Sequence, residues 1–268
     1  MQQSGQKEVL LQQLLQRCAA AAAGVERGAA ASMQREVLQQ LGQREVIEQP
    51  WQREVLQKPE HIAGDTLIDI SGGHCLFQLF PVCQYFKEII ILECKDQCID
   101  ELRKWKSKDP GAHDWSYAAK YVVELGDKSE SYQDLEDMTQ RKLKRIEMCN
   151  LAKENPTSPT ELPKADCVIS VRLLEAISED LNAFCRNLKN MSSLLKVGGH
   201  LILIADVNTS FFAVGNDKYF MLCYDDGFLR KALADEGYLI KCYEAVKSEI
   251  PSDVSDIKKT VFVVAQKQ

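Results

Sequence analysis

The stretch Gly64-Asp65-Thr66-Leu67-Ile68-Asp69-Ile70-Ser71-Gly72-Gly73 decides the fold. Thr66–Ile70 is a short apolar run with an acid near its end, which reads as a buried strand. Ser71-Gly72-Gly73 then supplies a turn of small residues, where a backbone can come close to a ligand. A second buried strand, Glu88–Leu92, follows, and the acid Glu93 closes it 20 residues after Gly73. A glycine turn after one strand and an acid about 20 residues on can hold a nucleotide ribose through its two hydroxyls. The dinucleotide spacing G-x-G-x-x-G is absent here, which favours a nucleoside ligand over a dinucleotide.

Working outward, strand and helix signals alternate to the end of the chain. Helices are expected at Cys75–Phe86, Gln97–Trp105, Met138–Cys149, Leu181–Leu195 and Asp226–Glu236. Strands are expected at Tyr117–Leu125, Cys167–Ser170, His200–Ile204 with Asp206 just beyond, Tyr238–Ala245 and Thr260–Ala265. Val197-Gly198-Gly199 reads as a turn. This alternation predicts an α/β fold with a mostly parallel sheet covered by helices on both faces.

Residues 1–63 differ. Gln-Arg-Glu-Val recurs from Gln34, Gln43 and Gln52, beside an Ala-rich tract from Ala19 to Ala31. A period of nine advances a helix by half a turn and keeps no single apolar face. The segment reads as low-complexity and poorly packed, and the second domain is expected to span residues 64–268.

The chain has 268 residues and a formal net charge of −6, enough for one domain with a large core and without the basic surface that nucleic acid demands. No apolar run reaches the roughly 20 residues needed to span a bilayer. The ten cysteines show no C-x-x-C pair, so reduced thiols and no metal site are expected. The expected protein is a cytoplasmic monomer acting on a small molecule, without a nucleic-acid or membrane partner.

Several runs carry a resemblance to a known family: Gly64–Ile70, Phe86-Lys87-Glu88-Ile89-Ile90, Pro110-Gly111-Ala112-His113-Asp114-Trp115-Ser116, Lys120-Tyr121-Val122, Ala165-Asp166-Cys167-Val168, and Ser193-Leu194-Leu195-Lys196 with Gly198-Gly199. From Gly64 to Lys267 the chain resembles the nicotinamide, phenylethanolamine and indolethylamine N-methyltransferases. The resemblance implies a Rossmann-like seven-stranded methyltransferase sheet, S-adenosyl-L-methionine as cofactor, and a small amine or aromatic nitrogen as acceptor.

Carried over residue by residue, the resemblance places Asp69, Ser71, Gly72, Gly73 and Phe77 around the cofactor turn. It gives Glu93 the ribose and sets Cys98 nearby, places Asn150 and Leu151 against the adenine, and lines the methionine portion with Ser170 and Val171. On the acceptor side it implies Asp206, Thr209, Ser210, Phe211 and Phe212. Departures are evident. Ser71-Gly72-Gly73-His74-Cys75 stands where the family has Gly-Ser-Gly-Pro-Thr, so a serine occupies a position at which a positive φ would be strained. The family's N-terminal lid tyrosines have no counterpart, since no Tyr precedes Tyr85. No general base is assigned: His74 reads as a turn residue, and an acceptor nitrogen attacks a sulfonium directly. Three functions remain open from the residues: an N-methyltransferase, slow for want of its lid; a non-catalytic relative that keeps the fold; and a Rossmann-type oxidoreductase.

Overall fold

The computed structural model describes residues 62–71, 75–125, 131–214, 217–247 and 255–268. The reading of residues 1–63 as a repeat segment lies almost wholly outside them, as do Gly72, Gly73 and His74.

Nine strands and six α-helices are ordered along the described residues. The strands are β1 (Gly64–Asp69), β2 (Phe86–Glu93), β3 (Leu143–Met148), β4 (Ala165–Val171), β5 (Leu195–Val207), β6 (Phe211–Val214), β7 (Asp217–Phe220), β8 (Tyr238–Lys247) and β9 (Lys259–Lys267). The helices are α1 (Asp96–Lys106), α2 (Ser116–Leu125), α3 (Tyr132–Lys142), α4 (Leu174–Ile177), α5 (Leu181–Ser192) and α6 (Asp226–Asp235). Seven strands form one sheet in the order β3-β2-β1-β4-β5-β9-β8, and β6 pairs with β7 in a separate hairpin. β1 to β5 run parallel, and β9 alone is reversed against both its neighbours. The expected α/β architecture with a mostly parallel seven-stranded sheet is therefore present.

The strands are apolar at consecutive positions because both faces are covered. Leu67, Ile89, Ile91, Ile169 and Ile202 pack on one side, with α1, α2 and α3 contributing Leu102, Ala118 and Leu135. Ile68, Ile90, Val168, Leu201 and Leu203 pack on the other, with Phe184 and Leu188 of α5 and Leu229 of α6. Gly64 starts β1 where a side chain has no room: a Cβ there would lie 2.3 Å from the Asp166 Cβ. The close approach lets the Asp166 carboxylate accept from the backbone N–H of Asp65 at 2.8 Å and of Thr66 at 3.0 Å, tying β1 to the start of β4.

Three expectations are corrected. Ser116–Leu125 is helix α2, not a strand: Ala118, Ala119 and Val122 are buried along it with Trp115 just before its start, a 3–4 spacing that is helical, and Tyr117 is buried beside them. The expected helix Met138–Cys149 is the end of α3 followed by strand β3. Its start is fixed by a capping box between Ser131 and Asp134. Charged β3 sits at the sheet edge, where Lys144 and Arg145 reach solvent and discourage further pairing. Cys75–Phe86 holds turns and one short 3-10 segment, Cys83–Tyr85, and not a continuous helix. Among the described residues Cys83, Cys94, Cys98, Cys149, Cys167, Cys185, Cys223 and Cys242 are free thiols. No group of metal-binding side chains and no helix long and apolar enough to cross a membrane occurs among the described residues.

Candidate functional site

Open parallel sheets place ligands beyond the carboxyl ends of their strands, where the strand order reverses direction. Here that point lies between β1 and β4. Asp69 ends β1, Glu93 ends β2, Ser170 and Val171 end β4, and Asp206 lies near the end of β5. The topology thus brings residues from all over the chain to one edge of the sheet.

Asp69 is fully buried and organises the turn. It accepts from Ser71 Oγ at 2.5 Å and from Gln78 Nε2 at 2.7 Å. Ser71 Oγ in turn accepts from the Val171 N–H at 3.2 Å, joining the ends of β1 and β4. Burial pushes the Asp69 carboxyl up to about 6 in spite of these hydrogen bonds. The strain anticipated at Ser71 is not found: among the described residues those with positive φ other than glycine are Lys108, Arg172 and Asn208. A hydroxyl that both donates and accepts stabilises the turn in a way the family's glycine does not.

Glu93 is 2% exposed. Its Oε2 accepts only from the Cys94 N–H at 3.2 Å, and its Oε1 is buried with no partner. Burial drives its carboxyl well above the usual carboxylate range, with the Cys94 thiol and Asp69 adding to the effect. An acceptor oxygen left bare in this way costs free energy unless a ligand donates to it. The donor set of a ribose diol fits it, so the residues present suit a nucleoside-bearing cofactor. Cys98 of α1 is buried beside Glu93, which contributes to holding its thiol up to about 12, after burial itself.

Asn150 and Leu151 follow β3. Leu151 is buried in the core. Asn150 is exposed, and its side-chain carbonyl accepts from the Ala152 N–H at 2.9 Å. Phe77 is buried in the turn segment after Cys75, and Ser170 Oγ donates to the Ile70 carbonyl at 3.2 Å.

The residues that the resemblance places on the acceptor side are tied into the fold by their own hydrogen bonds. Asp206 is not an open carboxylate. Arg172 Nη2 donates to Asp206 Oδ1 at 3.0 Å, Arg172 Nε faces Oδ2 at 2.5 Å, and Thr260 Oγ1 of β9 donates to Oδ1 at 2.6 Å. Both Arg172 and Asp206 are buried. Glu175 of α4, also buried, accepts from the Asp206 N–H at 3.0 Å, and burial followed by the Asp206 charge lifts its carboxyl to about 7. Sequence reasoning missed Arg172, Glu175 and Thr260. The available signal was Arg172 directly after the β4 strand end, an arginine where an apolar strand leaves the core. Thr209 and Phe212 are buried, Phe212 stacks on Tyr219 at 5.2 Å, and Phe211 lies under Lys218. Ser210 is held by Asp256, to which its Oγ donates at 2.6 Å and its N–H at 2.8 Å. Asp256 was also missed.

These carboxyls make an expected pH dependence. Asp69 and Glu175 have ordinary values of 3.8 and 4.5 and sit at about 6 and about 7 in the folded chain. Between those limits the folded chain keeps protons that the unfolded chain has released, so stability falls as pH rises through that window. Raising the pH from 5 to 7.5 is expected to lower the melting temperature by roughly 5–10 °C without ligand. A melting temperature that climbs over that interval contradicts the assignment of these groups as buried and uncompensated.

With the geometry in view, the chain can be compared with known proteins. A family model described as NNMT/PNMT/TEMT family matches residues 38–268. The chain is 33% identical over 206 residues to nicotinamide N-methyltransferase of Homo sapiens, covering 77% of this chain and 78% of that one. It is 32% identical over 210 residues to indolethylamine N-methyltransferase of Oryctolagus cuniculus, with 78% and 80% covered. It is 31% identical over 211 residues to phenylethanolamine N-methyltransferase of Homo sapiens, with 77% and 74% covered. Among solved structures it is similar to an S-adenosylmethionine-dependent methyltransferase from Clostridium acetobutylicum, with a TM-score of 0.54, 12% identity, and 88% of this chain and 98% of that one covered. A methyltransferase of the same kind from Methanosarcina mazei gives a TM-score of 0.53 at 15% identity, covering 78% and 95%.

Proposed function

We propose, from the premise that this chain belongs to the NNMT/PNMT/TEMT family, that it is an S-adenosylmethionine-dependent N-methyltransferase acting on a small amine or pyridine-type nitrogen. The observation that carries the reading is the family match over residues 38–268. The bare Glu93 Oε1 at the end of β2 supports it from the geometry.

S-adenosylmethionine supplies a methyl group activated on a sulfonium. The chain's own residues bind and align. Glu93 accepts from the ribose hydroxyls. Asp69 and Ser71 hold the turn beside β4, and Ser170 and Val171 shape the wall along the methionine portion. Leu151 gives the adenine an apolar face and Asn150 offers it a polar edge. Thr209, Phe211 and Phe212 border the acceptor. Catalysis comes from alignment of the nitrogen with the methyl carbon and exclusion of water, since no proton needs to leave a pyridine nitrogen.

The test follows radiolabelled methyl transfer from S-adenosylmethionine to a panel of pyridines and primary amines. Transfer above the protein-free background to at least one acceptor is expected, slower than the roughly 1 per second common among enzymes. Intact cofactor binding with no transfer to any member would leave a non-catalytic relative and overturn the proposal.

A further inference from the structure

Beyond the carboxyl ends of β4 and β5, Arg172 pairs with Asp206, Thr260 bridges them from β9, and Glu175 approaches from α4. The Tyr224 phenol lies in the same field, because burial, Glu175 and Asp206 all raise its proton affinity. Arg172 Nη1, Glu175 Oε2 and Tyr224 Oη are each buried without a partner. Arg172 also holds a φ of 49°, the left-handed region that side-chain-bearing residues rarely adopt. Its backbone N–H is anchored to the Ile204 carbonyl at 2.8 Å, so the conformation is imposed by the β4–β5 pairing. A strained, buried arginine with one N–H pair bare points to a ligand and not to folding alone.

We propose that Arg172 sets the charge of the acceptor: by neutralising Asp206 it makes this end of the sheet suit an uncharged nitrogen compound whose oxygen accepts from Nη1, and turn away a protonated amine. The inference rests on the methyl-transfer reading above. Alone, Asp206 would be a buried anion, and an ammonium would be drawn to it. The guanidinium 2.5 Å away cancels that pull. Glu175 restores little negative charge below neutral pH, since burial keeps it protonated up to about 7. A cation entering this space meets the guanidinium, whereas a carbonyl-type oxygen gains a charge-assisted hydrogen bond.

Calorimetric titration of the full chain saturated with S-adenosylhomocysteine tests this without turnover. Nicotinamide serves as the uncharged probe and phenylethanolamine as the protonated one. Wild type is expected to favour nicotinamide by about tenfold or more. Arg172→Leu leaves Asp206 unopposed and should move the ratio at least about tenfold towards phenylethanolamine. Arg172→Lys keeps the positive charge and should keep the wild-type order. If Arg172→Leu does not melt cooperatively, Arg172→Gln removes the charge while keeping a donor, and carries the same expectation. A probe ratio unchanged within about twofold, binding of neither probe to wild type, or identical behaviour of the Lys and Leu variants overturns the inference while cofactor-product binding stays intact. Failure of wild type to bind S-adenosylhomocysteine sinks the methyl-transfer reading and takes this inference with it.

Discussion

Glu93→Ala is expected to weaken S-adenosylmethionine binding by about 10- to 150-fold while leaving the protein folded. Glu93 Oε1 has no partner among the described residues, which under the proposed function leaves it for the ribose hydroxyls. Two donating ribose hydroxyls favour the ionised form of a carboxyl that burial otherwise keeps protonated, and a hydrogen bond to a charged group is worth roughly 1.5–3 kcal/mol. Removing the carboxyl also removes a buried group that disfavours ionisation, so the unliganded variant should be no less stable than wild type at pH 7.5. Glu93→Gln, which keeps an accepting oxygen and loses the charge, should fall between the two. An unchanged dissociation constant in folded Glu93→Ala would take Glu93 out of the site.

The second large effect is on stability. Asp206→Ala leaves the Arg172 guanidinium buried without its ion-pair partner, and removal of one member of a buried ion pair costs about 3–5 kcal/mol. Replacing both by Leu removes the uncompensated charge, and the double variant should recover most of the loss. Urea unfolding of the three proteins measures this. Asp206→Ala within about 1 kcal/mol of wild type would show that the pair is not buried as described.

What was legible in the sequence follows from which forces act locally. Strands β1, β2, β4 and β5 are apolar at consecutive positions because both faces are covered, and their ends, with Asp69 and Glu93, could be read from spacing alone. α2 was misread because Tyr117, Val122 and Val123 favour strands, whereas its packing follows Trp115, Ala118, Ala119 and Val122. β3 was hidden by its charge, which suits an edge strand as well as a solvated helix. The hairpin of β6 and β7 was not anticipated. The ion pair of Arg172 and Asp206 joins residues 34 apart through the register of β4 on β5, and nothing local signals it. The conformation of Arg172 is likewise imposed by pairing, since an arginine carries no preference for positive φ. The strand ends that carry Asp69 and Glu93 were therefore readable in the sequence, while the contacts around Asp206 are ones that only the folded sheet creates.

The most direct measurement is calorimetric titration of the full chain with S-adenosylmethionine and, separately, with a nicotinamide dinucleotide. Saturable binding of one S-adenosylmethionine per chain is expected, and none of the dinucleotide. Absence of heat with S-adenosylmethionine, or preferential binding of the dinucleotide, would contradict it.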